Sequence, residues 1–305
     1  MILYLLQRLS SAAVVVYGAV TLIFLILFWL PGDPAELVAG PDADPATVAA
    51  IRDRLGADKP FVEQYIGYVV RLAHADLGVS FATGEPVFDR LAEQAPATFE
   101  LTFAAGVLAL ASGIGLGVVS AVNAGRRVDY AIRTSLLLFA SMPPFWFGVL
   151  LILLFSVTLR WLPAVGNGAA AQLVMPAFCL GLIAACPLAR LVRANVLEAL
   201  HEPFVVALRG KGLGERAVLY RHVLRNALAP AVAVFGVLIG EMLSGAVVVE
   251  TIFARQGLGR LLAEAVGGKD IPMALGATLL AAVVFCIVNL LTDVVHRIID
   301  PRIES

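Results

Sequence analysis

The sequence predicts an all-α integral membrane protein of six transmembrane helices with a helical extracytoplasmic insertion after the first. Three observations carry this. Hydrophobic residues make up 60% and charged residues 15% of the 305, against about 45–50% and 25% in a soluble globular domain. Long uncharged runs recur along the chain, and Lys and Arg gather in alternate connecting segments.

A helix needs about 20 mostly apolar residues to cross the hydrocarbon core. The uncharged stretch from Arg8 to Asp33 supplies the first, placed at 9–30. Its apolar run exceeds the usual 7–15 residues of a signal peptide and no small-residue cleavage site follows, so a retained helix is expected. The segment 31–96 is the insertion, and 97–305 forms a core of five further helices. Glu100 to Arg126, Arg133 to Arg160 and Arg160 to Arg190 enclose the next three, near 99–123, 134–158 and 172–193. Arg225 to Glu250, interrupted by Glu241 alone, holds the fifth near 228–250. Asp270 to Asp293 holds the sixth near 272–295.

Six crossings put both termini on one side, and the basic residues choose that side. With the termini inside, the inner segments 1–10, 123–133, 190–226 and 296–305 carry 13 Lys and Arg in 68 residues. The outer segments 31–96, 159–171 and 251–272 carry nine in 101. Cytoplasmic termini are therefore expected. The 31–96 segment also holds 11 acidic residues against five basic ones, a solvated face or a docking surface. Within it, Pro45 to Leu55 patterns as a short amphipathic helix. Phe61, Tyr65, Tyr68, Val69 and Leu72 recur at helical spacing, so a small helical cap is expected.

Several kinds of chemistry are missing. A net charge of −1 supplies no basic field for nucleic acid. Cys179, Cys186 and Cys286 lie in apolar stretches as packing residues, and His74, His201, His222 and His296 are scattered. His201-Glu202 opens like a zinc-protease motif, but Val205 stands where the second histidine belongs and Pro203 interrupts the helix. Lys59, Lys211 and Lys269 precede Pro60, Gly212 and Asp270, so none belongs to a phosphate-binding loop. Ser112 and Ser244 lie beside glycines without a nucleophile elbow. No catalytic residue, metal site or bound cofactor is expected in this chain.

The most informative stretch is 195–230, longer than two neighbouring spans require, with the coupling loop placed at 195–227. Pro203 suits the first turn of a helix, and Glu202 before it complements the positive helix end. Phe204, Ala207 and Leu208 are expected to share one face. Gly210, Gly212 and Gly214 break that helix, and Glu215 to Asn226 can form a second, carrying Arg216, Arg221 and Arg225 among apolar residues. The pattern describes either a basic loop that sets topology or a rigid helix on a glycine hinge, presented to a soluble partner.

Glu241 is an acid well inside a span, a functional position by default because a charge in hydrocarbon is costly. It either lines a path or is neutralised by protonation or a partner subunit. Glu250 is expected at the outer interface, as a gate or a solvated helix end. Met142, Pro143, Pro144, Phe145 and Trp146 open the third span, where the prolines kink the helix or the run forms a gate. Gly113 and Gly117 permit close helix approach, within the chain or between subunits.

ALRGKGLGERAVLYRHVLRNALAP (residues 207–230) resembles the EAA coupling segment of ATP-binding-cassette (ABC) importer permeases, in the form found in dipeptide and oligopeptide uptake. LFWLPGDP (27–34), DLGVSF (76–81), SMPPFWFGVLLILLF (141–155), RWLPAVG (160–166), VVVETIF (247–253) and IIDPRI (298–303) resemble the first permease subunit of such systems, so the resemblance runs along nearly the whole chain. Val206, Ala207 and Leu208 stand where the general pattern has Glu-Ala-Ala, Arg225 stands at its proline, and Gln256 replaces proline before Gly257-Leu258-Gly259.

The resemblance implies a type I importer permease in a bacterial inner membrane, forming half of a translocation path for short peptides, or for related cargo such as haem or metal complexes. It implies a homologous second permease, an extracytoplasmic substrate-binding protein, and two nucleotide-binding domains, separate or fused, that hold ATP and Mg. It places the ATPase contact at Phe204, Ala207, Leu208, Arg209, Lys211, Gly212 and Glu215. Met142, Pro144, Phe145, Trp146, Glu241 and Glu250 are the candidates for path or gate. The alternative is a secondary transporter driven by an ion gradient, which often shows inverted repeats; none is visible.

Overall fold

The computed structural model describes residues 2–29, 33–40, 43–56, 58–74, 76–166 and 168–299. The end of the first expected span at residue 30, and the 298–303 motif from residue 300 onward, lie outside the described residues. The described chain is helical, with one isolated antiparallel bridge, Val79 to Pro86. Four helices are long and apolar enough to cross a membrane singly: α5 (Val87–Val122), α8 (Ala170–Leu200), α12 (Ala229–Ile252) and α14 (Ile271–Ile299, apolar over Ile271–Thr292). The amino-terminal helix α1 (Ile2–Trp29) has a shorter described apolar stretch, Ser10–Ile26.

The expected single span at 134–158 is instead a broken pair. Helix α6 (Arg127–Ala140) meets α7 (Pro144–Leu151, continuing as a π-helix over Ile152–Thr158) at a 107° bend. Pro143 and Pro144 cause the break: Pro143 holds extended backbone (φ −60°, ψ 137°), and a residue preceding proline is excluded from helical geometry. The bend is far sharper than a proline kink. Phe147, packed against Phe139 across it and buried, fixes the angle.

The chain divides into two compact units, with boundaries inside α5, just after α12 and inside α14. The first comprises Met1–Thr98 and Ala254–Cys286. In it the short helices α2 (Pro34–Ala39) and α3 (Pro45–Leu55) precede α4 (Phe61–Ala73). The aromatic stripe read from the sequence lies on one side of α4. It packs α4 antiparallel along α1, with Phe61 against Phe28 and Phe24, and Tyr65 bonded to Thr21 and Tyr17 at 2.8 Å each. Tyr68 joins Val20, Phe24 and Leu275 in a buried cluster.

A second tie in this unit centres on Asp270, which caps α14. Its carboxylate accepts from Ser80 Oγ, from the backbone N–H groups of Phe81 (3.0 Å) and Ala82 (3.3 Å), and from Met273 N–H (3.3 Å). The short helix α13 (Leu258–Gly267) is pinned to the start of α5, where Thr98 Oγ1 accepts from Leu258 N–H at 2.8 Å.

The second unit comprises Phe99–Phe253 and Ile287–Ser305. Its axis is α8, buried over most of its middle between α5, α7 and α12. Close approach of α5 and α8 depends on glycine. A Cβ on Gly117 would lie 2.7 Å from Ala189 O, one on Gly113 2.8 Å from Leu188, and one on Gly181 2.6 Å from Ala105 O. The Gly113 and Gly117 pair therefore serves packing within the chain.

Candidate coupling loop and translocation face

The loop between α8 and α12 is built from short helical pieces. Helix α9 (Pro203–Gly210) starts after Glu202, whose extended backbone sets up Pro203 at the first helical position. It is followed by α10 (Glu215–Ala217), a π-helical stretch at Val218–Val223, and α11 (Leu224–Ala227). The expected second helix over 215–226 is thus helical throughout, but widened by a π segment. Between α9 and α10 the chain reverses on Gly212, whose φ of +81° lies in the left-handed region that favours glycine. Gly212 N–H donates to Arg209 O at 2.9 Å, and Leu213 N–H to Leu208 O at 3.2 Å.

Across that turn Arg209 grips Glu215. Its Nε and Nη2 donate to the two carboxylate oxygens at 2.8 and 3.0 Å. These bonds hold the Glu215 carboxyl below its ordinary value and raise the Arg209 guanidinium. The glycine turn is therefore clasped by a bidentate ion pair.

Val205 anchors the loop. It is fully buried with Val192, Val196, Val218, Val223 and Ala227, and Phe204 and Leu208 pack against that cluster. The expected common face of Phe204, Ala207 and Leu208 is split: Ala207 is exposed, beside Val206 at 66% exposure. The reason is rotational. Burying Val205 with Leu208 turns position 207 outward on an eight-residue helix. The outward surface holds Val206, Ala207 and Arg209 on α9 and Lys211 just after it, with Tyr220 and Arg221 on the return.

One pair was not foreseen from the sequence. Arg193 of α8 donates from Nε and Nη2 to the two oxygens of Asp129 on α6, each at 2.9 Å. Ser120 Oγ (2.6 Å) and Gly125 N–H (3.0 Å) complete four bonds to that carboxylate, which is 1% exposed. Two residues further along α8, Asn195 Nδ2 donates to Ala227 O at 3.1 Å. The end of α8 that leads into the loop is thus tied on one side to α6 and on the other to the loop's return.

Helix α12 places the two candidate acids differently. Glu241 is exposed at mid-helix, where a charged side chain facing lipid costs about 2.5–3.5 kcal/mol on insertion scales. Glu250 is fully buried near the end of α12, so of its two expected roles, gate or solvated helix end, it is not a solvated end. It faces inward with Leu238, Met242, Ala246 and Val249, away from the Glu241 side. Of the 142–146 run, Phe145 and Trp146 are exposed, and Met142 and Pro144 half-buried. No group of three or more His, Cys, Asp or Glu side chains could hold a metal ion among the described residues.

Residues 113–305 match the family described as "Binding-protein-dependent transport system inner membrane component", and residues 1–102 match its amino-terminal counterpart. The di/tripeptide transport system permease protein DppB of Pseudomonas aeruginosa is 36% identical, covering 100% of this chain and 99% of its own. The glutathione transport system permease protein GsiC of Escherichia coli O6:H1 is 37% identical, with the same 100% and 99% coverage. Among solved structures, an inward-facing form of the MetNI methionine ABC transporter superposes with a TM-score of 0.57 at 20% identity, over 69% of this chain and 96% of that one. At that identity the likeness speaks to the fold.

Proposed function

The chain belongs to the family of binding-protein-dependent transport system inner membrane components, and from that premise we propose that it imports short peptides and is driven through its α8–α12 loop. It is an ABC importer permease, a multi-pass membrane protein that is not itself the catalytic subunit. The ion-gradient alternative is set aside by that membership.

The cargo assignment is supported by the two full-length relatives, which are named for di/tripeptide and glutathione transport. The partners are a homologous second permease, two ATPase domains holding ATP and Mg, and an extracytoplasmic binding protein. The termini and the α8–α12 loop face the cytoplasm, in keeping with the excess of Lys and Arg there. This chain contributes no ATP site, since its lysines lack the surroundings of a phosphate loop.

One observation carries the coupling assignment. Helix α9 is rooted by Val205 in the same buried cluster as α8, while the backbone beyond it turns on Gly212 under the Arg209 to Glu215 clasp. An ATPase surface pressing Val206, Ala207, Arg209 and Lys211 moves α9 without unfolding it, and Val205 passes the displacement to α8. Phe204 and Leu208 serve this joint from its buried side. Phe145, Trp146 and Glu241 line or gate the path, with Met142 and Pro144 shaping the bend that presents the aromatic pair, and Glu250 bracing α12 from within.

The test is uptake of a labelled dipeptide into vesicles carrying the assembled complex. ATP-dependent uptake that survives proton uncouplers is expected. Uptake that follows a proton gradient without ATP overturns the assignment.

A further inference from the structure

We propose that Glu241 is a cation-recognising carboxylate of the translocation path, which receives the ammonium or other positive group of the cargo; this rests on the permease reading above. Every exposed residue of α12 after Pro230 falls on one stripe: Val234, Val237, Glu241, Ser244, Val248 and Thr251. Glu241 is the thirteenth of 24 residues, so about 17 Å of helix separates it from either end. In α5, α8 and α14 no Asp, Glu, Lys, Arg or His lies within four residues of the helix midpoint.

Lipid is a poor cover for that stripe, because a carboxylate at mid-depth would lose its hydration without compensation. The chain supplies no compensation of its own. Among the described residues Glu241 makes no hydrogen bond or ion pair, and neither does the Ser244 hydroxyl one turn away. Other hydroxyls in these helices do bond back to their own backbone: Ser112 to Leu108 O (2.6 Å), Thr251 to Val247 O (2.7 Å) and Thr278 to Ala274 O (2.8 Å). Two unsatisfied polar groups, adjacent on the stripe and flanked by valines, describe a wall that meets water and solute rather than hydrocarbon. A negative charge in that wall, with no counter-ion from its own chain, attracts positive solutes and repels negative ones. Free peptides carry an ammonium at one end, so the carboxylate gives cargo a preferred orientation as well as an attraction.

The test uses the assembled complex in sealed vesicles, with Cys179, Cys186 and Cys286 replaced by alanine and Ser244→Cys as the reporter. The probes are a trimethylammonium-ethyl and a sulfonatoethyl methanethiosulfonate, each rate normalised to that on a free thiol in solution. Ser244→Cys should react with both, the cationic reagent being favoured by roughly tenfold. Glu241→Gln should bring the normalised ratio close to one, and Glu241→Asp should keep most of the preference. No reaction with either reagent overturns the proposal in favour of a face covered by lipid or by the second permease. A ratio unchanged in Glu241→Gln also overturns it. ATP-driven dipeptide uptake by the unsubstituted complex is measured in parallel. Its absence overturns the permease reading, whereas an unreactive or unbiased reporter in a transporting complex overturns only the role of Glu241.

Discussion

Arg193 holds Asp129 with two parallel hydrogen bonds of 2.9 Å, and that carboxylate is 1% exposed. The pair joins the start of α6 to the end of α8 that feeds the α8–α12 loop. Charge and bidentate geometry put it among the interactions whose loss is costly, because removing Arg193 strands a carboxylate that is 1% exposed, whereas the Arg193 side chain is 22% exposed. Arg193→Ala should destabilise by about 3 kcal/mol, and Asp129→Asn by less. Asp129→Ala combined with Arg193→Ala should cost less than the two single changes added together. Heating in detergent with a thiol-reactive dye reads this directly, since Cys179 and Cys186 are buried in the folded chain and become reactive on unfolding.

Gly212 and Gly210 offer a matched pair. A Cβ has open space at both positions, but only Gly212 has a left-handed backbone, with φ +81°. Gly212→Ala should strain the turn by about 1–2 kcal/mol and lower the uptake achieved per ATP hydrolysed. Gly210→Ala, at the end of a helix, should leave that ratio unchanged. Gly212→Asn, which tolerates the left-handed region, should recover most of it. Uptake and ATPase activity measured on the same vesicles decide the matter, and equal behaviour of the two alanine variants would remove Gly212 as the hinge.

Steric contrast also separates Gly117 from Gly115. A methyl at Gly117 would sit 2.7 Å from Ala189 O and 2.8 Å from Val192 Cβ, whereas Gly115 has nothing within 4 Å. Gly117→Ala should force α5 and α8 apart at a cost of about 1–3 kcal/mol. Gly115→Ala should be neutral or slightly stabilising. The same dye-monitored melting distinguishes them.

Tyr68 carries a buried hydroxyl with no hydrogen-bond partner among the described residues. Burial pushes its ionisation up to about 12. A group whose folded value is raised contributes stability below its unfolded value, near 10, and loses it as pH rises through the folded one. Relative to Tyr68→Phe, the natural protein should therefore lose stability between about pH 10 and 12. At neutral pH, Tyr68→Phe should match or exceed the natural protein by about 1 kcal/mol. Paired melts at neutral and alkaline pH supply the comparison.

Much of the helical framework is legible as charge-free runs, because a membrane crossing is a one-dimensional constraint on composition. Pro203 and the three glycines likewise mark the breaks in the α8–α12 loop, since proline and glycine act on their own backbone. What the sequence hides are choices made by packing. That Val205, not Phe204, roots α9 depends on which side of a short helix finds a cavity. The pairing of Asp129 with Arg193 spans 64 positions, and beside Arg126, Arg127 and Arg133 the lone acid looks like part of a topological charge cluster. Glu250 and Glu241 are alike as letters, yet nine residues put them on opposite sides of α12. The Pro143-Pro144 step announces a break, while its angle is set by Phe139 and Phe147.

Asp270 fixes the loop at 80–82, although 190 residues of chain separate it from Ser80. The ribosome therefore delivers the two halves of this arrangement far apart in time. During that interval the 80–82 loop lacks the carboxylate that holds it, and a chain interrupted before Asp270 would present that loop unfinished to the protein quality-control machinery.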